Sequence, residues 1–244
     1  MLLFSFALLA GCGDKISEEP ETSSEVASRG KFMAGLDELR EGSFTENGRH
    51  YMNAVRLFKE SLIYDETYSR ANAMMALAVS ELASMRLFKG QTVMGVSIEH
   101  EIARQYADKA IKANPTLPET CAIHSIVYTR MGEYEVAEDS LKKARSNDRE
   151  DVYYFIAKGD YLFTIPEEKP QDKAENVIDA IEEYTNAIAT GARIGIPYTR
   201  LLDAFEYIDD PRGIQQTAKL LKDLGYGLPS ARAARYRAAG IELP

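Results

Sequence analysis

The sequence predicts an all-α protein: a right-handed α-solenoid of about four to five helix pairs with a C-terminal capping helix. Two observations predict it. From about Glu25 onward apolar residues recur at helical spacing, with no strand-like alternation. Within that stretch a small-large-small pattern at places 0, +4 and +7 occurs four times. Composition agrees, since 45% apolar and 27% charged residues in 244 give the balance of an ordinary soluble fold. A formal charge of −9 repels a phosphate backbone, and no basic cluster offsets it, so nucleic acid is not an expected partner.

The chain opens MLLFSFALLAGCGDK. Leu2 to Ala10 is too short for a membrane-spanning helix, which takes about 20 apolar residues, and has the length of a secretory h-region. Leu9-Ala10-Gly11-Cys12 resembles the lipobox of bacterial lipoproteins, although no Lys or Arg precedes the run. The resemblance implies a signal peptide over 1–11, lipidation at Cys12 and a stable anchor of several acyl chains. Gly13 in place of Asp after the cysteine implies the outer membrane, with the folded part facing the periplasm. Gly13 to Ser24 is rich in Glu, Ser, Thr and Pro and buries too little to offset the entropy of ordering. Residues 12–25 therefore read as lipidated cysteine and flexible tether, and 26–244 as the repeat domain.

The predicted pairs are 26–41 with 48–64, 68–88 with 98–113, 118–131 with 134–146, 151–164 with 173–190, and 196–208 with 211–224. The second helices of the first four pairs carry the repeating pattern: Ala54, Phe58 and Ser61; Ala103, Ala107 and Ala110; Ala137, Leu141 and Ala144; Ala180, Tyr184 and Ala187. Steps of four and three keep these places on one helix face, where alanine lets a neighbouring helix approach closely. Ala103 to Ala137 is 34 residues, while Ala54 to Ala103 is 49 and Ala137 to Ala180 is 43. Both excesses fall between the helices of a pair. The first, RLFKGQTVMGVSIEH, reads as a lengthening of both helices, with a docking flap around Val93, Met94 and Val96 as the alternative. The second, TIPEEKPQDKAEN, is polar and reads as a loop. Asp209-Asp210-Pro211 reads as a helix start. PSARAARYRAAGI reads as the closing helix, serine-capped, with arginine on its outer face; a stack needs such a cap.

The segment from Pro118 to Asp151 resembles a tetratricopeptide repeat (TPR). Tyr128, Gly132, Tyr134 and Ala137 stand at its signature places, while Cys121, His124, Ser125 and Arg149 depart from it. The resemblance extends over about 35–192 and is to bacterial TPR lipoproteins. It implies a concave groove for protein or peptide partners, lined here by Arg70, Ala73, Leu77, Glu119, Ile126, Arg130, Tyr153, Ile156 and Asp160. It further implies a membrane-tethered scaffold or adaptor, similar in class to outer-membrane-assembly and pilus-biogenesis TPR lipoproteins. TRAP-transporter-associated TPR lipoproteins, which relay small ligands, are the other class it resembles. In that case a closed ring with an apolar pore is expected, whereas an adaptor keeps an open groove.

Catalytic and metal chemistry is not expected, nor is a cofactor. His50, His100 and His124 lie far apart, without metal-ligand spacing. Cys121 and His124 are one helical turn apart, at places the repeat buries, and read as packing rather than a thiol–imidazole pair. Cys121 is then a lone thiol, best kept buried.

Overall fold

A computed structural model of the chain describes residues 22–88, 93–145, 151–167 and 169–244. Residues 1–11, Cys12 and all but the end of the expected tether lie outside the described residues, as do the side chains of Val93, Met94 and Val96. The described residues form eleven helices and no strand: α1 (Ser23–Thr45), α2 (Gly48–Tyr64), α3 (Ser69–Phe88), α4 (Val93–Ala113), α5 (Pro118–Arg130), α6 (Tyr134–Ala144), α7 (Val152–Thr164), α8 (Pro170–Ala189), α9 (Ile196–Tyr207), α10 (Pro211–Asp223) and α11 (Ser230–Ala238).

Helix α1 starts at Ser23, so the last residues assigned to the tether are helical. The reason is a capping box: Thr22 Oγ1 accepts from the Glu25 amide at 3.2 Å, and Glu25 Oε2 accepts from the Thr22 amide at 2.7 Å. Polar composition had hidden this start. Much of the second insertion is likewise helix rather than loop, because Pro170 sits in the first turn of α8 with Asp172 beside it. In the first insertion α3 runs to Phe88 and α4 begins at Val93, so both helices are lengthened there.

Helices pair in sequence, α1 with α2 through α9 with α10, and each second helix packs on the next pair. The first helices α3, α5, α7 and α9 also touch one another in succession. This is an array of TPR-like hairpins. All twelve places of the repeating pattern are buried except Leu141, which is partly covered. Alanine at those places removes side-chain bulk, and an aromatic at the middle place fills a notch in its partner. A Cβ added to Gly35 would lie 2.5 Å from the Phe58 ring, and one on Gly159 the same distance from Tyr184. Only glycine lets these rings lie against the helix backbone. Cys121 is a free, fully buried thiol in the main core.

The array does not stay open. Helix α9 packs on α7 and α8 and also reaches α1. The Gly195 amide donates to Ser43 Oγ at 2.8 Å in a buried contact. A second core follows from this approach, in which Phe44 of α1 packs with Tyr198, Leu202, Ile214, Leu221 and Tyr236. The Phe44 ring stacks on Tyr226 at 4.1 Å, and the Tyr226 hydroxyl donates to Glu41 at 3.0 Å. Helix α11 completes the contact, but not as predicted. Its first residue is Ser230, preceded by Pro229, and no side-chain cap is made. Arg235 and Arg237 are exposed as expected, but Arg232 is buried, because Asp203, Glu206 and Glu46 lie within 2.8–3.0 Å of its guanidinium. A helix this short persists by docking, and these ion pairs with Tyr236 supply the dock.

Candidate functional site

Where α9 crosses the first helices, four charged side chains meet in the interior. Arg130 Nη2 donates to Glu81 at 2.5 Å and lies 3.4 Å from Asp160. Arg200 donates from Nε to Asp160 at 3.0 Å and from Nη2 to both oxygens of Glu81 at 2.9 and 3.1 Å. Tyr184 donates its hydroxyl to Asp160 at 2.9 Å, and Arg130 Nη1 donates to Ser80 at 2.7 Å. Glu81 and Asp160 are each only 4% exposed. Burial alone raises a carboxyl, yet the two guanidiniums beside Glu81 outweigh it and hold that group below the ordinary carboxylate range. For Arg200 burial works against the charge, and Glu81, Asp160 and Asp203 more than restore it. The two guanidiniums thus hold Glu81 ionised, and the cluster locks α3, α5, α7 and α9 in register.

Beside this cluster the closure leaves a cavity of about 620 Å³. Its walls come from the α1–α2 turn (Glu46), the first turn of α2 (Tyr51), the end of α3 (Glu81, Met85), α9 (Arg200, Asp203) and the start of α11 (Arg232). Glu46 stands at φ 47°, in the left-handed region where glycine or asparagine is usual, and there it caps α1. Burial raises its carboxyl above the usual range, against the pull of Arg232. Tyr51 is nearly inaccessible, and burial followed by the Glu81 charge pushes its phenol well up, so it stays a neutral donor.

The nine residues predicted to line a groove divide into two sets. Ala73, Leu77, Ile126, Ile156 and Asp160 are buried, and the Arg130 side chain is only 9% exposed. They form the inner seam of the hairpins and the charge cluster, because the curl of the array covers the face on which a groove was expected. Arg70, Glu119 and Tyr153 sit at the starts of α3, α5 and α7. The Arg70 side chain is 53% exposed and pairs with Glu119 at 3.0 Å, while Tyr153 is half-buried. Arg200, Arg232, Glu81, Asp203 and Glu46 were not singled out from sequence. One signal was present: a charged residue at the helical period of an otherwise apolar stretch, as Glu81 is in AMMALAVSELA.

Cys121 and His124 do not pair. The thiol contacts the Pro115 carbonyl at 3.5 Å. His124 has Nδ1 2.8 Å from Ser140 Oγ and Nε2 3.2 Å from Asp108, whose Oδ1 also accepts from Tyr128 at 2.8 Å. The serine–histidine–aspartate order is superficially that of a nucleophile with its base. However, Ser140 is 5% exposed and its hydroxyl lies within hydrogen-bond distance of the Val136 carbonyl, so no substrate carbonyl can reach it. No group of three or more His, Cys, Asp or Glu suited to a metal occurs among the described residues. No helix among them is long and apolar enough to cross a membrane.

No protein-family model matches the chain, and no curated protein matches it. Among solved structures, that in "Functional Characterization of Pseudomonas Aeruginosa pilF" is similar, with a TM-score of 0.44 at 15% identity, over 89% of this chain and 100% of that one. So loose a likeness carries no inference about function; the fold rests on the hairpins themselves, and they make the chain an all-α array of TPR-like helix pairs.

Proposed function

We propose that the protein is a non-enzymatic binding scaffold for envelope proteins or peptides, held at the outer membrane on its periplasmic side by a lipidated Cys12. The observation that carries this reading is the set of helix starts where Arg70, Glu119 and Tyr153 keep accessible surface on an array otherwise closed. Arg and Tyr are the residue types that most often anchor partners. Anchoring raises the effective concentration of scaffold and partner, so modest affinity suffices. The test is in-cell photo-crosslinking from positions 70 and 153, with exposed Ile178 on α8 as the control position. Capture of one partner from 70 and 153 but not 178 supports the reading; equal capture from all three contradicts it. In the same cells Cys12→Ser should leave the membrane fraction, and its retention after a high-salt wash would end the lipid proposal.

A second reading is favoured by the cavity at the closure: a TRAP-transporter-associated lipoprotein that relays a small ligand with a solute-binding protein. The closed array suits it, although the walls are polar rather than the apolar pore expected for that class.

A further inference from the structure

We propose that the cavity between α1, α3, α9 and α11 binds a small zwitterion, an amino acid or dipeptide with an apolar side chain; this rests on the second reading above. Several polar groups on its wall lack a full complement of hydrogen bonds among the described residues; one is Glu46 Oε1, which lies 3.0 Å from Arg232 Nε, and three others face a ligand. Arg200 spends Nε and Nη2 inside the charge cluster, but its Nη1 makes no hydrogen bond among the described residues and finds its nearest carboxylate, Asp203 Oδ2, only at 3.8 Å. The Tyr51 hydroxyl has no hydrogen-bond partner among the described residues, although the residue is 3% exposed. Asp203 Oδ1 accepts from Arg232 at 2.8 Å, and its Oδ2 has no hydrogen bond among the described residues. Two donors and one acceptor, all set in place by buried partners, thus border one cavity. Tyr51 is buried, so its unmade hydrogen bond is costly and a ligand that makes it recovers that cost; Arg200 and Asp203 are partly exposed and offer fixed, accessible partners beside it.

Charge decides the class. The wall holds three carboxylates, Glu46, Glu81 and Asp203, against two guanidiniums, Arg200 and Arg232. A simple anion would satisfy Arg200 and Tyr51 but add to the negative surplus. A simple cation would satisfy Asp203 and leave both donors empty. A zwitterion does neither: its carboxylate meets Arg200 Nη1 and the Tyr51 hydroxyl, and its ammonium meets Asp203 Oδ2. Met85, Pro229 and Ala231, set among Thr45, Asn47, Ser84, Thr199 and Ser230, supply apolar contact for a side chain. At about 620 Å³ the space exceeds a single amino acid and admits a dipeptide.

The experiment uses the full chain in detergent, first with thermal shift against the amino acids and glycyl-leucine, then with calorimetry. Two controls carry half the charges of leucine on the same carbon skeleton: 4-methylpentanoate and 3-methylbutylamine. Leucine or glycyl-leucine should raise the melting temperature with concentration, and neither control should do so at equal concentration. Tyr51→Phe should weaken binding roughly fivefold with the fold intact, and Asp203→Asn, which removes both the ammonium's partner and one negative charge, should weaken leucine and narrow its advantage over 4-methylpentanoate. No shift with any zwitterion, 4-methylpentanoate binding as well as leucine, or an unchanged affinity in both variants would overturn the assignment. Binding is read on purified protein, so a relay that fails in cells leaves this result standing. Conversely, capture of a solute-binding partner in cells does not depend on it.

Discussion

Gly195→Ala tests the closure of the array through the sign of its effect. Gly195 has helical backbone angles, φ −82° and ψ −16°, which alanine adopts without strain. In an open array the substitution would stabilise by about 0.4–1 kcal/mol, because alanine restricts the unfolded chain. In the closed array a Cβ here would lie 2.4 Å from the Phe44 nitrogen, 2.4 Å from the Ser43 carbonyl carbon and 2.5 Å from its oxygen. These are backbone atoms in the last turn of α1 and cannot swing aside. Parting the two segments by roughly an ångström costs about 1–3 kcal/mol in overpacking. It also loses the Gly195–Ser43 hydrogen bond, worth about 0.5–1.5 kcal/mol. The net expectation is a loss of about 0.5–4 kcal/mol, hence a fall in Tm of about 1–16 °C for a domain of this size. Thermal denaturation followed by circular dichroism measures it. A Tm unchanged or raised would refute the closure, and with it the cavity.

Arg200→Met should cost about 3–5 kcal/mol, because it leaves Glu81 and Asp160 buried with only Arg130 between them. Chemical denaturation of Arg200→Met, Glu81→Leu and the double variant should show the double costing clearly less than the sum; additivity would deny the coupling. A third expectation concerns pH. Burial, outweighing Asp108, lowers the His124 pKa below its ordinary 6.5, so the folded state prefers the neutral ring. Stability from this group is therefore complete above pH 6.5 and lost as pH falls through 6.5 toward the lowered folded value, by up to about 1.4 kcal/mol per pH unit. His124→Gln should flatten the stability profile between pH 7 and 5, and an unchanged slope would contradict the assignment.

Helix pairing was legible in the sequence because it is local. Alanine spacing on Ala103, Ala107 and Ala110 reports one helix face, and the start at Asp210-Pro211 is a local capping event, with Asp210 accepting from the Arg212 amide at 3.0 Å. The start of α1 was missed for a related reason: Thr22 and Glu25 cap a helix, but inside a polar segment the pair reads as tether. Curvature was not legible at all. It depends on how closely hairpins stack, which is set by matches between distant residues, such as Gly195 with Ser43. Buried charges follow the same logic. Arg200 and Glu81 are 119 positions apart; Glu81 stands out in its apolar stretch, but nothing local names Arg200 as its partner. The groove residues illustrate the consequence, since Leu77 and Ile126 occupy their places in the repeat but lie fully buried.

The most direct measurement of the closure is hydrogen exchange at the Gly195 amide. That amide precedes α9 and belongs to no helical ladder; its partner is Ser43 Oγ, 152 positions away. A closed array predicts protection close to that of the core, since the amide exchanges only when α9 leaves α1. Exchange at the rate of an exposed loop amide, in a chain whose helix interiors remain protected, would show that α1 and α9 do not meet.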